Sequence, residues 1–121
     1  MSKTNFLFAN ECIIYTIKEK GKSSLSTFNF SSQSTMYNTF ITGLLQGKER
    51  LKNEDRTAVH PTQKPPSILK KLISVSSKEG GIVIDPFMGI GSTAVACKEL
   101  KRNFIGCELN STYVKWANSR L

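Results

Sequence analysis

The sequence predicts an α/β fold, an open and mostly parallel sheet with flanking helices, and three observations predict it. From His60 onward, apolar residues alternate between helical spacing and short continuous runs, which reads as helix, strand, helix, strand, helix. Glycines stand where these runs break, at Gly80-Gly81 and at Gly89 and Gly91. A helix separates the two apolar runs, so the strands are expected to be parallel neighbours. At 121 residues the chain amounts to at most one domain.

The elements follow in order. Residues 11–17 (ECIIYTI) combine β-branched and aromatic side chains and read as a strand. Residues 18–22 (KEKGK) read as a charged turn, and 23–34, rich in Ser, Phe and Asn, as loop with one short strand. Phe40, Ile41, Leu44 and Leu45 suit a short helix within 37–46, and the polar stretch 47–59 reads as loop. The expected organisation is thus a strand plus a loop-rich region over 1–59, and a βαβ portion over 60–121.

That second portion is sharply marked. Pro65 and Pro66 suit the opening of a helix, whose first turn has no use for their missing N–H groups. Ile68, Leu69, Leu72 and Ile73 then follow at helical spacing, with Val75 behind them, and 78–81 (KEGG) ends the helix. Residues 82–84 form an apolar strand, 93–100 a helix carrying Ala94, Val95, Cys97 and Leu100, and 103–108 a second strand. Asn110 or Ser111 caps a last helix with Tyr113, Ala117 and Leu121 on one face.

Composition limits the function classes. Hydrophobic residues make up 39% of the chain, and no apolar run approaches the roughly 18–20 residues that span a bilayer. The first residues, MSKTNFLFANE, show no secretory signal. Cys12, Cys97 and Cys107 have no metal-ligand spacing, and the apolar surroundings of Cys97 and Cys107 suggest buried thiols, so a reducing, cytoplasmic compartment is expected. Seventeen basic and nine acidic residues give a net charge of +8. That charge attracts polyanions such as nucleic acid, and equally serves solubility.

The chemistry concentrates after the first apolar strand, in DPFMGIGST. Gly89 and Gly91 allow a tight turn and close approach of a ligand to the backbone. The next helix begins there, so its free N–H groups face the crevice at the strand ends. Glu108 closes the second strand and is placed to accept both hydroxyls of a ribose. Gly89-x-Gly91-x-x-Ala94 fits the loose dinucleotide fingerprint. Asp85 argues against a pyrophosphate there, because a carboxylate repels it. S-adenosylmethionine (SAM) has no phosphate and carries two cationic groups, so it suits Asp85 better. An ordinary βαβ turn without ligand is the third reading.

Taken with HPTQKP at residues 60–65, DPFMGIGST resembles the β-type amino-methyltransferases that modify adenine N6 or cytosine N4 in DNA. The resemblance is clear over 60–121, where ELNSTYVKWANSRL also matches the family's closing segment, and looser in ECIIYTIKEKG. It implies a partial Rossmann-like, SAM-dependent methyltransferase fold. It also implies that Asp85, Phe87, Gly89, Gly91, Ser92 and Thr93 surround the methionine part of SAM, and that Glu108 holds its ribose. Thr62, Gln63, Lys64 and Pro65 would set their helix against the methionine tail, with Lys64 pairing with its carboxylate. His60, the sole histidine, would be a positioning residue rather than a base. Two positions depart from the commonest loop: Ile90 replaces a small residue and would make the mouth more apolar, and Ser92 replaces a threonine.

The family's catalytic box is an Asp/Asn/Ser-Pro-Pro-aromatic tetrapeptide, which receives the extruded target base. The 121 residues contain one Pro-Pro, Pro65-Pro66, flanked by Lys64 and Ser67, so no such box is present. The resemblance therefore implies a C-terminal portion of a restriction-modification DNA methyltransferase, with double-stranded DNA as substrate and a separate chain carrying the catalytic motif. Alternatives are an inactive truncated remnant and a basic nucleic-acid-binding module without catalysis.

Overall fold

A computed structural model describes residues 11–16, 27–42, 45 and 50–121. Its ordered part is built from α1 (Pro66–Ser76), β1 (Ile82–Asp85), α2 (Ser92–Glu99), β2 (Asn103–Gly106) and α3 (Ser111–Asn118). Pro66 takes the first helical position of α1, and Pro65 stands before it in an extended conformation. The hydroxyls of Ser74, Ser76 and Ser77 donate back to the carbonyls of Lys71, Leu72 and Ile73, as second partners for carbonyls near the end of the helix.

β1 and β2 pair in parallel, with Ile82 opposite Asn103, Val83 opposite Phe104, Ile84 opposite Ile105 and Asp85 opposite Gly106. Side chains alternate across the pleat, so Val83 and Phe104 share one face. There they meet the core of Ile73, Ala96 and Cys97, with Leu69 and Leu100 completing it. Small residues at 96 and 97 let α1 and α2 lie close over the sheet. Ile82, Ile84 and Ile105 point to the other face and are exposed. Parallel sheets are ordinarily covered on both faces; here one face is covered and one is bare. Burial pushes the Cys97 thiol above its ordinary range, Arg102 pulls it back, and Asp85 adds to the rise, so the thiol stays neutral in the core.

Arg102 ties this layer together. Its guanidinium donates to the Ser77 carbonyl at 2.9 Å and to the Leu100 carbonyl, which fixes the end of α1 to the turn before β2. Two further bonds, Gly80 N–H to Lys101 carbonyl and Asn103 N–H to Gly81 carbonyl, set the register where the strands begin.

The expected boundaries of the two strands and the helix between them are met within two residues, and Asn110 is the cap of α3: its side chain accepts from the N–H groups of Thr112 and Tyr113. Other expectations are corrected. Residues 11–16 form no strand and are exposed; they meet the rest of the described chain through side chains, Tyr15 on Phe28 and Glu11 on Lys64, and not through a ladder. Residue 17 and the expected turn at 18–22 lie outside the described residues. Within 23–34, the described part is irregular and leads into a single 3-10 turn, Gln33–Thr35, without a strand.

Residues 37–42 are not helical. Ile41 is 97% exposed, and a helix this short is marginal without a surface to pack on. Leu44 lies outside the described residues, while Leu45 is buried. The stretch 50–59 is a loop, as expected, pinned by an antiparallel bridge between Lys52 and Ala58. In its tip the Thr57 hydroxyl and N–H hold the Asp55 carboxyl below its usual range. Cys107 is exposed rather than buried, since the alternation along β2 carries it to the bare face. Leu121 follows the end of α3 and is exposed, so it does not extend the helix face.

Candidate functional site

β1 ends at Asp85, and the chain must reverse into α2 within six residues. Asp85 braces both sides of that reversal. One carboxylate oxygen accepts from the Phe87 N–H at 3.0 Å, the other from the Thr93 hydroxyl at 2.6 Å. Gly89 and Gly91 both have positive φ, 52° and 75°, a region that side-chain-bearing residues rarely adopt. The Gly91 N–H closes the turn on the Met88 carbonyl at 2.9 Å, and Gly91 then caps α2.

The second strand reaches the same place. Past Gly106 the backbone stays in contact with β1, through Cys107 N–H to the Asp85 carbonyl and Met88 N–H to the Cys107 carbonyl, each 3.0 Å. Glu108 follows. One of its oxygens accepts from the Gly89 N–H at 3.1 Å, and the other from the Asn110 N–H at 2.8 Å. Glu108 therefore bolts the end of β2 to the glycine turn and to the start of α3.

The two carboxylates stand at the ends of adjacent strands, bound to neutral donors. Among the described residues the ion pairs are Lys64–Glu11, Lys70–Glu99 and Lys101–Glu79, and neither Asp85 nor Glu108 belongs to one. Their charge is left to attract a cationic ligand. An ionised carboxylate has about four lone-pair sites, so each retains acceptor capacity beyond the bonds described. Beside each carboxylate stands a bare apolar side chain: Phe87, 88% exposed, after Asp85, and Leu109, fully exposed, after Glu108. A site with negative oxygens at its floor and apolar groups at its rim suits a cation with a flat or aliphatic body.

The HPTQKP segment lies against this turn through His60. Its Nδ1 accepts from the Thr62 N–H at 3.2 Å, and its Nε2 edge faces Gly89, where a Cβ would lie 3.4 Å away. The imidazole also meets the Tyr113 ring, centroids 4.8 Å apart and tilted by 58°. Gln63 and Lys64 are engaged elsewhere. Gln63 accepts from the Leu51 N–H at 3.0 Å, and Lys64 pairs with Glu11 at 2.7 Å.

Hydrogen bonds thus bring Asp85, Phe87, Gly89, Thr93 and Glu108 together, with Thr62 joined through His60. Two local expectations change. The Cβ side of Gly91 is not open to a ligand: a Cβ there would lie 2.8 Å from the Cβ of Ala117, so this glycine serves contact with α3. Ile90 is 2% exposed and packs inward, so it does not line the mouth. Ser92 is buried as well. The sequence reading missed Arg120, whose guanidinium donates to the Ile90 carbonyl. The spacing of Tyr113 and Ala117 along one helix face, with Arg120 three residues further on, was its available signal.

Among the described residues, no helix is long and apolar enough to cross a membrane, and no three His, Cys, Asp or Glu side chains gather as a metal site. A family model described as DNA methylase matches residues 1–119. The type II methyltransferase M.HinfI of Haemophilus influenzae is 37% identical over 124 aligned positions, 98% of this chain and 34% of its own length. M1.MboII of Moraxella bovis is 42% identical over 71 positions, 59% of this chain and 27% of its own. The crystal structure of the M1.HpyAVI–SAM complex is 48% identical and superposes with a TM-score of 0.50 over 53% of this chain and 33% of that one. The chain spans about a third of the length of these relatives.

Proposed function

Because the chain belongs to the N6/N4 DNA methylase family, we propose that residues 60–121 are the SAM-holding portion of a DNA methyltransferase of restriction-modification type, acting on an exocyclic amino group of adenine or cytosine. The observation that carries this reading is the pair of carboxylates, Asp85 and Glu108, that join no ion pair among the described residues and stand at adjacent strand ends around one glycine turn. The relatives support it: two are type II methyltransferases, and the structural relative is a SAM complex. The fold is then one part of a Rossmann-like methyltransferase sheet.

These residues fit SAM. Glu108 keeps lone pairs for a ribose diol while holding the turn, and Asp85 places negative charge beside a cationic donor. Phe87 and Leu109 offer apolar contact at the rim. Gly89, Gly91, Ser92 and Thr93 set the backbone, and Thr62, Gln63, Lys64 and Pro65 bring the start of α1 towards the methionine end. Lys64 is half-exposed in its pair with Glu11, and exposed pairs are worth about 0–1 kcal/mol, so exchanging Glu11 for a ligand carboxylate costs little. When bound, SAM supplies an electrophilic methyl group. The task of this chain is to hold that group in line, the positional part of catalysis. Asp85 and Glu108 orient it, and neither moves a proton.

The acceptor side of the reaction requires the catalytic tetrapeptide that the 121 residues do not contain. We assign it to a separate catalytic portion that docks on the bare face and free strand edges of the sheet. Residues 1–59 are read as the remainder of a target-recognition region. The +8 charge suits double-stranded DNA, and a cytoplasmic setting follows from that substrate.

The test is a calorimetric titration of the chain with SAM, with NAD as control. Saturable binding of SAM alone is expected, and Glu108→Ala should remove it. Binding of NAD, or SAM affinity untouched by Glu108→Ala, would overturn the assignment.

A further inference from the structure

The peptide between Ile90 and Gly91 is held at both ends. Its N–H donates to the Met88 carbonyl, and its carbonyl accepts from the Arg120 guanidinium. Arg120 lies in the turn that ends α3, three residues after Ala117, which touches the Cα side of Gly91. Four residues before Ala117 stands Tyr113, whose ring meets His60, and His60 in turn faces Gly89. Residues three and four apart share one helix face. One face of the last helix and the turn that ends it therefore touch the glycine turn at three places, directly at Gly91 through Ala117 and at Ile90 through Arg120, and through His60 at Gly89. The turn contains two residues of positive φ and is held by groups outside it, Asp85 and Glu108 on one side and the end of α3 on the other, so its shape depends on what surrounds it.

We propose that Tyr113, Ala117 and Arg120, with His60 as an intermediary, form a back-plate that positions the glycine turn, and that Arg120 is a positioning residue for the ligand bound there. The identity of that ligand rests on the SAM reading; the mechanical role of the back-plate does not. Arg120 is half-buried, and burial draws its guanidinium below its usual pKa, yet its contact is a neutral carbonyl rather than a carboxylate. A planar guanidinium with five N–H donors suits an exposed salt bridge or a bidentate anion. Its use here, on one backbone carbonyl in the middle of the loop, marks that carbonyl as the thing being held. The Ile90 carbonyl is thereby tied to the end of α3, while the Gly89 N–H, one residue earlier in the turn, points to Glu108.

The test is amide hydrogen exchange by NMR on the full chain, wild type against Arg120→Ala, Arg120→Lys and His60→Ala, with SAM titrations of each. Arg120→Ala should speed exchange at Gly89 and Gly91 by about tenfold, the loss of one charge-assisted hydrogen bond, while the amides of α1 keep their rates. SAM affinity should fall by a similar factor, and Arg120→Lys, which still donates to the carbonyl, should restore most of both. His60→Ala should act on Gly89 more than on Gly91. Unchanged exchange in the turn, or an equal rise in the turn and in α1, would overturn the proposal, as would equal losses in the lysine and alanine variants. Failure of the wild type to bind SAM would sink the ligand assignment alone, since exchange in the turn still decides the back-plate.

Discussion

Residues 60–121 and the described residues before them carry comparable apolar side chains and treat them differently. In the later region Ile73, Ala96 and Cys97 are buried between two helices and a strand pair. In the earlier one Ile14 and Ile41 are 85% and 97% exposed, and Phe30 and Tyr37 also face solvent. Leu45 and Val59 are the buried apolar exceptions, and the polar contacts that tie the earlier region to the later one gather at the ends of α1. The Asn29 N–H donates to the Val75 carbonyl at 2.7 Å, and its side-chain amide donates to the carbonyls of Ser74 and Ser77. Glu11 meets Lys64, and the Leu51 N–H meets Gln63. The lesson is that apolar content does not make a core. A strand or short helix needs a complementary surface, and only the βαβ region provides one for itself.

The sharpest way to break this contrast is to damage the later region at its tightest point. Gly91→Val places a β-branched residue at φ 75° and drives its Cβ into Ala117. Strain and overpacking each cost about 1–3 kcal/mol, so urea unfolding should show a loss of about 3 kcal/mol or more, and SAM binding should vanish. Ile73→Ala, at the centre of the core, should cost about 2–4 kcal/mol in the same experiment. Asn29→Ala tests the seam between the regions. It frees carbonyls at the end of α1, and a loss near 1 kcal/mol is expected, read as faster amide exchange beyond Ser74. Ile41→Ser should leave stability within about 0.5 kcal/mol, because the side chain is already in water. A drop like that of Ile73→Ala would show that the earlier region buries more in solution than its exposure implies.

The same contrast explains what was legible in the sequence. The helices and strands from Pro66 to Asn118 announce themselves because their signals are local: proline at a helix start, apolar periodicity, glycine at a reversal, asparagine at a cap. Residues 11–16 and 37–42 carry the same apolar signals but no ladder or packed helix face answers them, and local pattern does not report whether a partner surface is present. At the candidate site, the carboxylates and glycines were legible as types at a spacing. The direction of Ile90, the contact of Gly91 with Ala117 and the reach of Arg120 to a carbonyl thirty positions away were not. Those depend on how α3 lands, which periodicity alone does not fix.

The contact between Gly91 and Ala117 couples two distant positions in how this sequence is free to drift. Alanine is already the smallest side chain that has a Cβ, so position 117 can yield room only by becoming glycine, which weakens a helix by about 1 kcal/mol. Position 91 can accept a side chain only if that room appears and the turn also abandons its positive φ. No single codon change meets both conditions. A sequence descended from this one that put a larger side chain at either position would have to rebuild the loop and the last helix together, or lose the closeness between them.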